Sequence, residues 1–473
     1  MRVCGRIPRL SIFFGLALGA AASGQASAAD APKTVTFTKD VAPIFQQKCQ
    51  VCHRPGTIAP MSLLTYDDAR PWARSIRQKV ASREMPPWHL DRTVGIQRYK
   101  NDRSLSDDQV ATIVAWVDGG ALRGDPKEMP PPVQFQSDDE WAIGKPDLII
   151  STPEIKMYAT GPDWWMNLSV PTGLTEDRYI RAIETRPSRE GRFITHHAVT
   201  TITQDADEFT AEAIGDPRGS GSGGGGGRRE APSGKVTTNF SEFVTGKYGD
   251  IFAGDSGRLM KAGSVINFNM HYHAIGEETK DSTSIGVIFY PKGYVPKYIA
   301  RWLTVHPGDY NDLELSPNEV LRTDGYYRLP KPTRLDGFEP HMHMRGKAQC
   351  LEAVYPYTPS DTAAVNARGN TRREVIACTD RFDFNWQVSY AFADDAAPLL
   401  PAGTILHSVS VFDNTAANKR NPDPTKWVGF GQRSIDEMAN THITATFLTD
   451  EDYERLVKER EAKAHQTQNQ QQQ

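Results

Sequence analysis

The strongest constraint on this chain is a long succession of short apolar–polar alternating segments, from about residue 125 to about residue 450. DLIIST, YIRAIETR, FITHHAVTTI, SVINFNMHYHA, TSIGVIFYP, REVIACTDRF, TILHSVSVF and HITATFL follow one another, separated by turn residues. A period of two sends successive side chains to opposite faces, so each segment has one face to bury and one to hydrate. Short strands at close spacing build antiparallel sandwiches. The stretch is too long for one ordinary sandwich of roughly 100 residues. Two are therefore expected, residues 141–300 and 301–452, divided near 292–310. The tract GSGSGGGGG (219–227) would be a floppy loop of the first.

Upstream the period changes. Ala69, Trp72, Ala73, Ile76 and Val80 recur at helical spacing, and so do Val110, Ile113, Val114 and Val117. Ser106 and Gln109 form a capping box before the second run, and Gly119-Gly120 end it. PKEMPPPVQ opens a Pro-rich linker over 126–140. Residues 453–473 read as a short polar helix and a disordered Gln-rich tail. The expected fold class is multidomain: a small all-α domain (35–125) followed by two antiparallel, jelly-roll-like β-sandwiches.

Composition bounds the partners. The 54 Lys+Arg nearly balance 58 Asp+Glu, for a net charge of −4. That balance offers no basic surface for nucleic acid. Arg2, Arg6 and Arg9, then LSIFFGLALGA, then Ala26-Ser27-Ala28 read as a cleaved signal peptide over 1–28. The apolar run is too short to span a membrane, so no stable anchor is expected. The expected location is the periplasm or the exterior. Of the five Cys, Cys4 leaves with the leader and Cys49 and Cys52 form a CxxC pair. In an exported chain a Cys350–Cys378 disulfide is the default.

Cys49-Gln50-Val51-Cys52-His53 is the haem-attachment pattern. Two thiols add to the haem vinyl groups, and the next histidine turns its ring to the iron. A redox disulfide or half of a zinc site would also use CxxC. However, no second CxxC or HxxxH follows at zinc spacing. VAPIFQQKCQVCHRPG, APMSLLTYDDA, REMPPWH and IVAWVDGGA, in that order, resemble a class I c-type cytochrome domain. The resemblance implies one covalent haem c held by Cys49, Cys52 and His53, with Met85 as sixth ligand. His89 is the rival for that position. Met61 and Met129 read as packing.

The twelve His include three close groups in the β region: His196-His197, His271 with His273, and His341 with His343. Residues i and i+2 of a strand share a face, so His341 and His343 can chelate one metal. His196 and His197 point oppositely in a regular strand. They reach one metal only if the strand ends, twists or bulges. Imidazole suits Zn, Cu, Fe and Ni, and a thioether selects Cu(I).

THHAVT (195–200), MHYHA (270–274), PHMHMRGK (340–347) and DEMAN (436–440) follow the order of ligand motifs in the copper type II, ascorbate-dependent monooxygenases. This is the family of peptidylglycine α-hydroxylating and dopamine β-monooxygenase, and the resemblance covers about residues 150–450. It implies two mononuclear coppers facing each other across a solvent cleft. His196, His197 and His271 would hold the electron-transfer copper. His341, His343 and Met438 would form the catalytic set that meets O2.

The implied reaction hydroxylates a C–H bond of a small organic substrate. One atom of O2 enters the product, the other leaves as water, and two electrons are consumed. The cytochrome-like segment ahead of the copper motifs departs from the animal enzymes. It suggests that an external donor feeds the haem and that the haem feeds the His196, His197 and His271 copper. The alternatives are a non-catalytic haem and copper electron-transfer or copper-binding protein, and an adhesion or carbohydrate-binding sandwich. His306, His407 and His442 read as structural histidines.

Overall fold

The computed structural model describes residues 34–57, 59–135, 140–206, 234–244, 247, 249–308, 312–356 and 372–471. The expected leader (1–28) and the glycine tract (219–227) lie outside these residues, as do linker positions 136–139 and the last two residues of the tail.

Helices form within both stretches of helical spacing, and one more forms upstream of them. Helix α1 spans Ala42–Lys48, α2 Tyr66–Ala69, α3 Ala73–Ala81 and α4 Asp107–Asp118. In α3, Ala73, Ile76 and Val80 line the buried face. Thr65 caps α2 and Ser106 caps α4, each in a reciprocal capping box with the residue three positions on. Such a cap contributes about 1 kcal/mol. Gly119 caps the C-terminus of α4, and Gly120 follows at φ +94°. Phe37, Phe45, Ile76, Ile113 and Trp116 meet between these helices in one apolar cluster.

The expectation of a distinct all-α cytochrome-type domain ahead of two separate sandwiches is corrected. Among the described residues, strand outnumbers helix, 37% against 17%, so the β-structure dominates. The stretch between α3 and α4 contains no helix. Trp88 and Leu90 instead enter a β core beside Leu303, Leu335, Phe338 and Ile376. The amides of Asp91, Ile96 and Lys100 donate to the carbonyls of Cys378, Ile376 and Ala391 at 2.8, 2.9 and 2.8 Å. Gly95 sits there at φ +68°, and a Cβ at that position would lie 2.6 Å from the Ile376 carbonyl oxygen. Helical periodicity locates helices but says nothing of an extended strap that docks elsewhere.

The two β halves also share a sheet. Ten strands form one sheet whose path runs from Leu148–Ser151 through Ser284–Phe289, Arg178–Arg186 and Ser256–Met260, then into Tyr298–Val305, Asn440–Phe447 and Thr333–His341. The junction is a parallel pairing, Tyr298 with Ser256 and Ile299 with Gly257. A four-stranded antiparallel sheet faces each half. The first contains Trp164–Pro171, Val265–Tyr272, Thr195–Asp205 and Lys235–Val244, over a core of Ile180, Ile183, Phe240, Phe268 and Met270. The second contains Val320–Arg328, Ile405–Asp413, Gly346–Val354 and Arg373–Thr379. Cys350 and Cys378 sit opposite each other in this second sheet and are disulfide-bonded.

Helix α5 spans Asp450–Gln471, longer than the short polar helix expected. Among the described residues no helix is long and apolar enough to cross a membrane.

Candidate metal centre

The strand Val265–Tyr272 carries His271 between two neighbours. Trp165 lies opposite on one side and His197 on the other. The His-His strand is irregular at this point. Thr195 pairs with Tyr272 and His197 with His271, leaving His196 as an extra residue. Such a bulge re-aims a side chain that alternation would send to the far face. The imidazoles of His196, His197 and His271 therefore converge, with one nitrogen from each inside a 4.8 Å set. His196 Nδ1 lies 3.1 Å from His197 Nδ1. That is close to the roughly 3.3 Å between two imidazole nitrogens sharing one tetrahedral ion. His273, two residues on, is exposed.

His341 ends the strand Thr333–His341 and lies opposite Asn440. Opposite residues share a face, as do residues two apart, so Asn440 and His442 stand on the His341 side. Met438, two residues before the strand Asn440–Phe447, is buried, with Asn440 Nδ2 3.8 Å from its sulfur. The His341 and His343 rings lie 5.7 Å apart, centroid to centroid. Glu437 fixes the turn between them and Met438. Its carboxylate accepts the amides of His343 at 2.9 Å and Arg345 at 2.6 Å. Burial pushes the Glu437 carboxyl up to about 8.

The two groups touch. The His197 and His341 rings are 5.9 Å apart, so no open cleft separates these two residues as the resemblance implied. Phe384 stacks on His196 at 4.8 Å and meets His343 edge-on at 5.9 Å. The His442 ring, expected to be purely structural, lies 5.4 Å from that of His341.

Burial and neighbouring histidines discourage protonation of His196, His197, His341 and His343. Burial, reinforced by His271, takes His196 down to about 3 and holds His197 well below the usual histidine range. Burial, reinforced by His442, does the same to His341, and burial takes His343 to about 4. At neutral pH these rings are uncharged, the form that donates a lone pair to a metal.

The residues fit a metal. His271 Nδ1 is buried without a hydrogen-bond partner, while its Nε2 lies 2.9 Å from Asp163 Oδ2. His343 Nδ1 faces the Asp436 carbonyl at 3.1 Å, leaving Nε2 as its donor atom. A ligand ring held at one nitrogen and presented at the other is the usual arrangement of metal-bound histidine.

The residues expected to attach haem follow α1. Cys49 and Cys52 are free thiols, and burial pushes Cys49 up to about 12. His53 Nδ1 lies 3.2 Å from the Met61 carbonyl, which leaves Nε2 outside that contact. Met85 lines a crevice with Val80, Trp88, Leu105, Val110 and Arg381. Cys49, Val80, Leu105 and Val110 belong to the same apolar cluster. His89 points its main chain into the β half, its amide donating to Tyr390 Oη at 3.2 Å and its carbonyl accepting from Thr379 Oγ1 at 2.8 Å. Two free thiols and an imidazole are the residue types a covalent haem takes, and Met85 rather than His89 lines the crevice.

No protein-family model matches this chain, and no curated protein matches it. Among solved structures, the major capsid protein P2 of bacteriophage PM2 is 12% identical, over 60% of this chain and 97% of that one, with a TM-score of 0.24. The infectious bursal disease virus particle is 10% identical, over 67% and 76%, with a TM-score of 0.16.

Three residues at the centre escaped sequence reasoning. Asp163 reaches His271 only because Trp165 is in register with it, and nothing local in GPDWWM marks this. Phe384 arrives from a loop far away in sequence. Glu437 had a signal, since an acid directly before a suspected ligand is a candidate to position it.

Proposed function

We propose that this chain is an exported, copper-dependent monooxygenase that hydroxylates a C–H bond of a small organic substrate with O2, its electrons arriving through haem c. The observation that carries this reading is the convergence of His196, His197 and His271 within 4.8 Å, with the His341 ring 5.9 Å from that of His197. His196, His197 and His271 would hold one copper. His341, His343 and Met438 would hold the other, and Cys49, Cys52, His53 and Met85 the haem.

When bound, copper supplies the one-electron chemistry that O2 activation needs, and haem c stores single electrons for it. The balance is R–H plus O2, two electrons and two protons, giving R–OH and water. The chain's own contribution is placement. Burial keeps the lone pairs of His196, His197, His341 and His343 free of protons at neutral pH. Glu437 pins the amides of His343 and Arg345, so the His341 to His343 turn cannot drift from Met438. Phe384 joins the two groups, and Arg381, three residues earlier, lines the Met85 crevice. A three-residue path thus links the haem side to His196, consistent with electrons entering there.

The test is O2 consumption by the signal-processed protein, given reductant and copper. Wild type is expected to consume O2, and His341→Ala to lose that activity while the haem spectrum persists. Undiminished consumption in His341→Ala would overturn the reading in favour of an electron carrier.

A further inference from the structure

His271 does not stand alone. Its Nε2 lies 2.9 Å from Asp163 Oδ2, and the same oxygen accepts the hydroxyl of Ser434 at 3.0 Å. Ser434 is buried and lies four residues before Met438. Two residues further, the Asp436 carbonyl faces His343 Nδ1 at 3.1 Å. A second link runs in parallel, Asn269 Nδ2 to Gln432 Oε1 at 3.2 Å. A carboxylate from the first β half therefore touches a ligand of one group and the loop that carries the other.

We propose that Asp163 is a positioning residue for both metal groups. It fixes the His271 tautomer, so that Nδ1 is the donor atom, and it anchors the Ser434–Met438 loop that orients His343 and delivers Met438. This rests on the copper reading above. The physical grounds are independent of any ligand. Neutral imidazole has one N–H and one lone pair, and a carboxylate can only accept. Asp163 at Nε2 therefore places the proton on Nε2 and the lone pair on Nδ1, the atom that is buried and unpartnered. A carboxylate behind a ligating imidazole also raises its basicity, and losing one typically costs about 10–100-fold in metal affinity. The Ser434 hydroxyl takes the other approach to the same oxygen, so the loop and the ring share one anchor.

Copper alone is the probe, with affinity read by competition against a chromophoric chelator and geometry read from the Cu(II) electron paramagnetic resonance spectrum. Asp163→Ala should weaken copper binding about 10–100-fold and shift the spectrum. Asp163→Glu, which keeps the carboxylate, should restore part of the affinity. Ser434→Ala should leave the His196, His197 and His271 group within about twofold and weaken the His341, His343 and Met438 group. Copper binding and a spectrum unchanged in Asp163→Ala would overturn the proposal while leaving the copper reading intact. A wild-type protein that takes up no copper would overturn both.

Discussion

The imidazole of His197 lies 5.9 Å from that of His341, although the residues sit 144 positions apart and on facing halves of the chain. Each belongs to a different histidine group, so the groups form one buried assembly rather than two sites across open water. The shared ten-stranded sheet makes this possible, because it fixes the two halves against each other.

Contact between the groups implies that loading one alters the other. Charges a few ångströms apart in a weakly screened interior interact by kilocalories rather than tenths. His341→Ala should therefore perturb the Cu(II) resonance of the His196, His197 and His271 group, although His341 is not one of its ligands. Superimposable spectra in the variant and wild type would show the groups to be independent.

Phe384 bridges the assembly and sits three residues from the crevice at Met85. In Phe384→Leu, copper content should stay constant. Anaerobic reoxidation of ferrous haem by bound Cu(II) should slow about tenfold, equivalent to about 1.4 kcal/mol on the barrier. An unchanged rate would place the route elsewhere.

Glu437 accepts two buried amides with its two oxygens. Glu437→Gln keeps the shape but offers a single acceptor oxygen, leaving one amide unpaired at a cost of about 1–3 kcal/mol. Urea unfolding of the metal-free variant should show that loss. A midpoint matching wild type would mean that the turn re-forms without it.

The buried histidines also set an acid dependence for the metal-free protein. His196 at about 3 and His343 at about 4 resist protons that the unfolded chain takes up near pH 6.5. Below about pH 6.5 the unfolded state therefore binds more protons than the folded one. Stability falls as pH drops, by up to about 1.4 kcal/mol per pH unit for each such residue, until the folded values are reached. Urea midpoints at pH 7 and pH 5.5 measure this, and a flat profile would contradict the burial.

Much of the centre was legible because its chemistry is local in sequence. His-His and HxH are read from neighbouring residues, and strand alternation alone showed that His196 and His197 can meet only where the strand ends, twists or bulges. The α3 and α4 helices were equally plain from spacing and capping residues. What escaped depends on register and long-range docking. No local pattern tells that the residues after Met85 leave the helices for a β core, nor that Ser256–Met260 pairs in parallel with Tyr298–Val305. For the same reason the expectation of a self-contained all-α domain and two independent sandwiches failed. Asp163 and Phe384 belong to this class too, since their partners lie about 110 and 190 residues away along the chain.

In this reading the six residues His196, His197, His271, His341, His343 and Met438 hold copper. Counting metal in the purified, signal-processed protein tests it most directly. One iron and two coppers per chain are expected in wild type, with one copper lost in His271→Ala and the iron retained. No bound copper in wild type, or two coppers still present in His271→Ala, would contradict it.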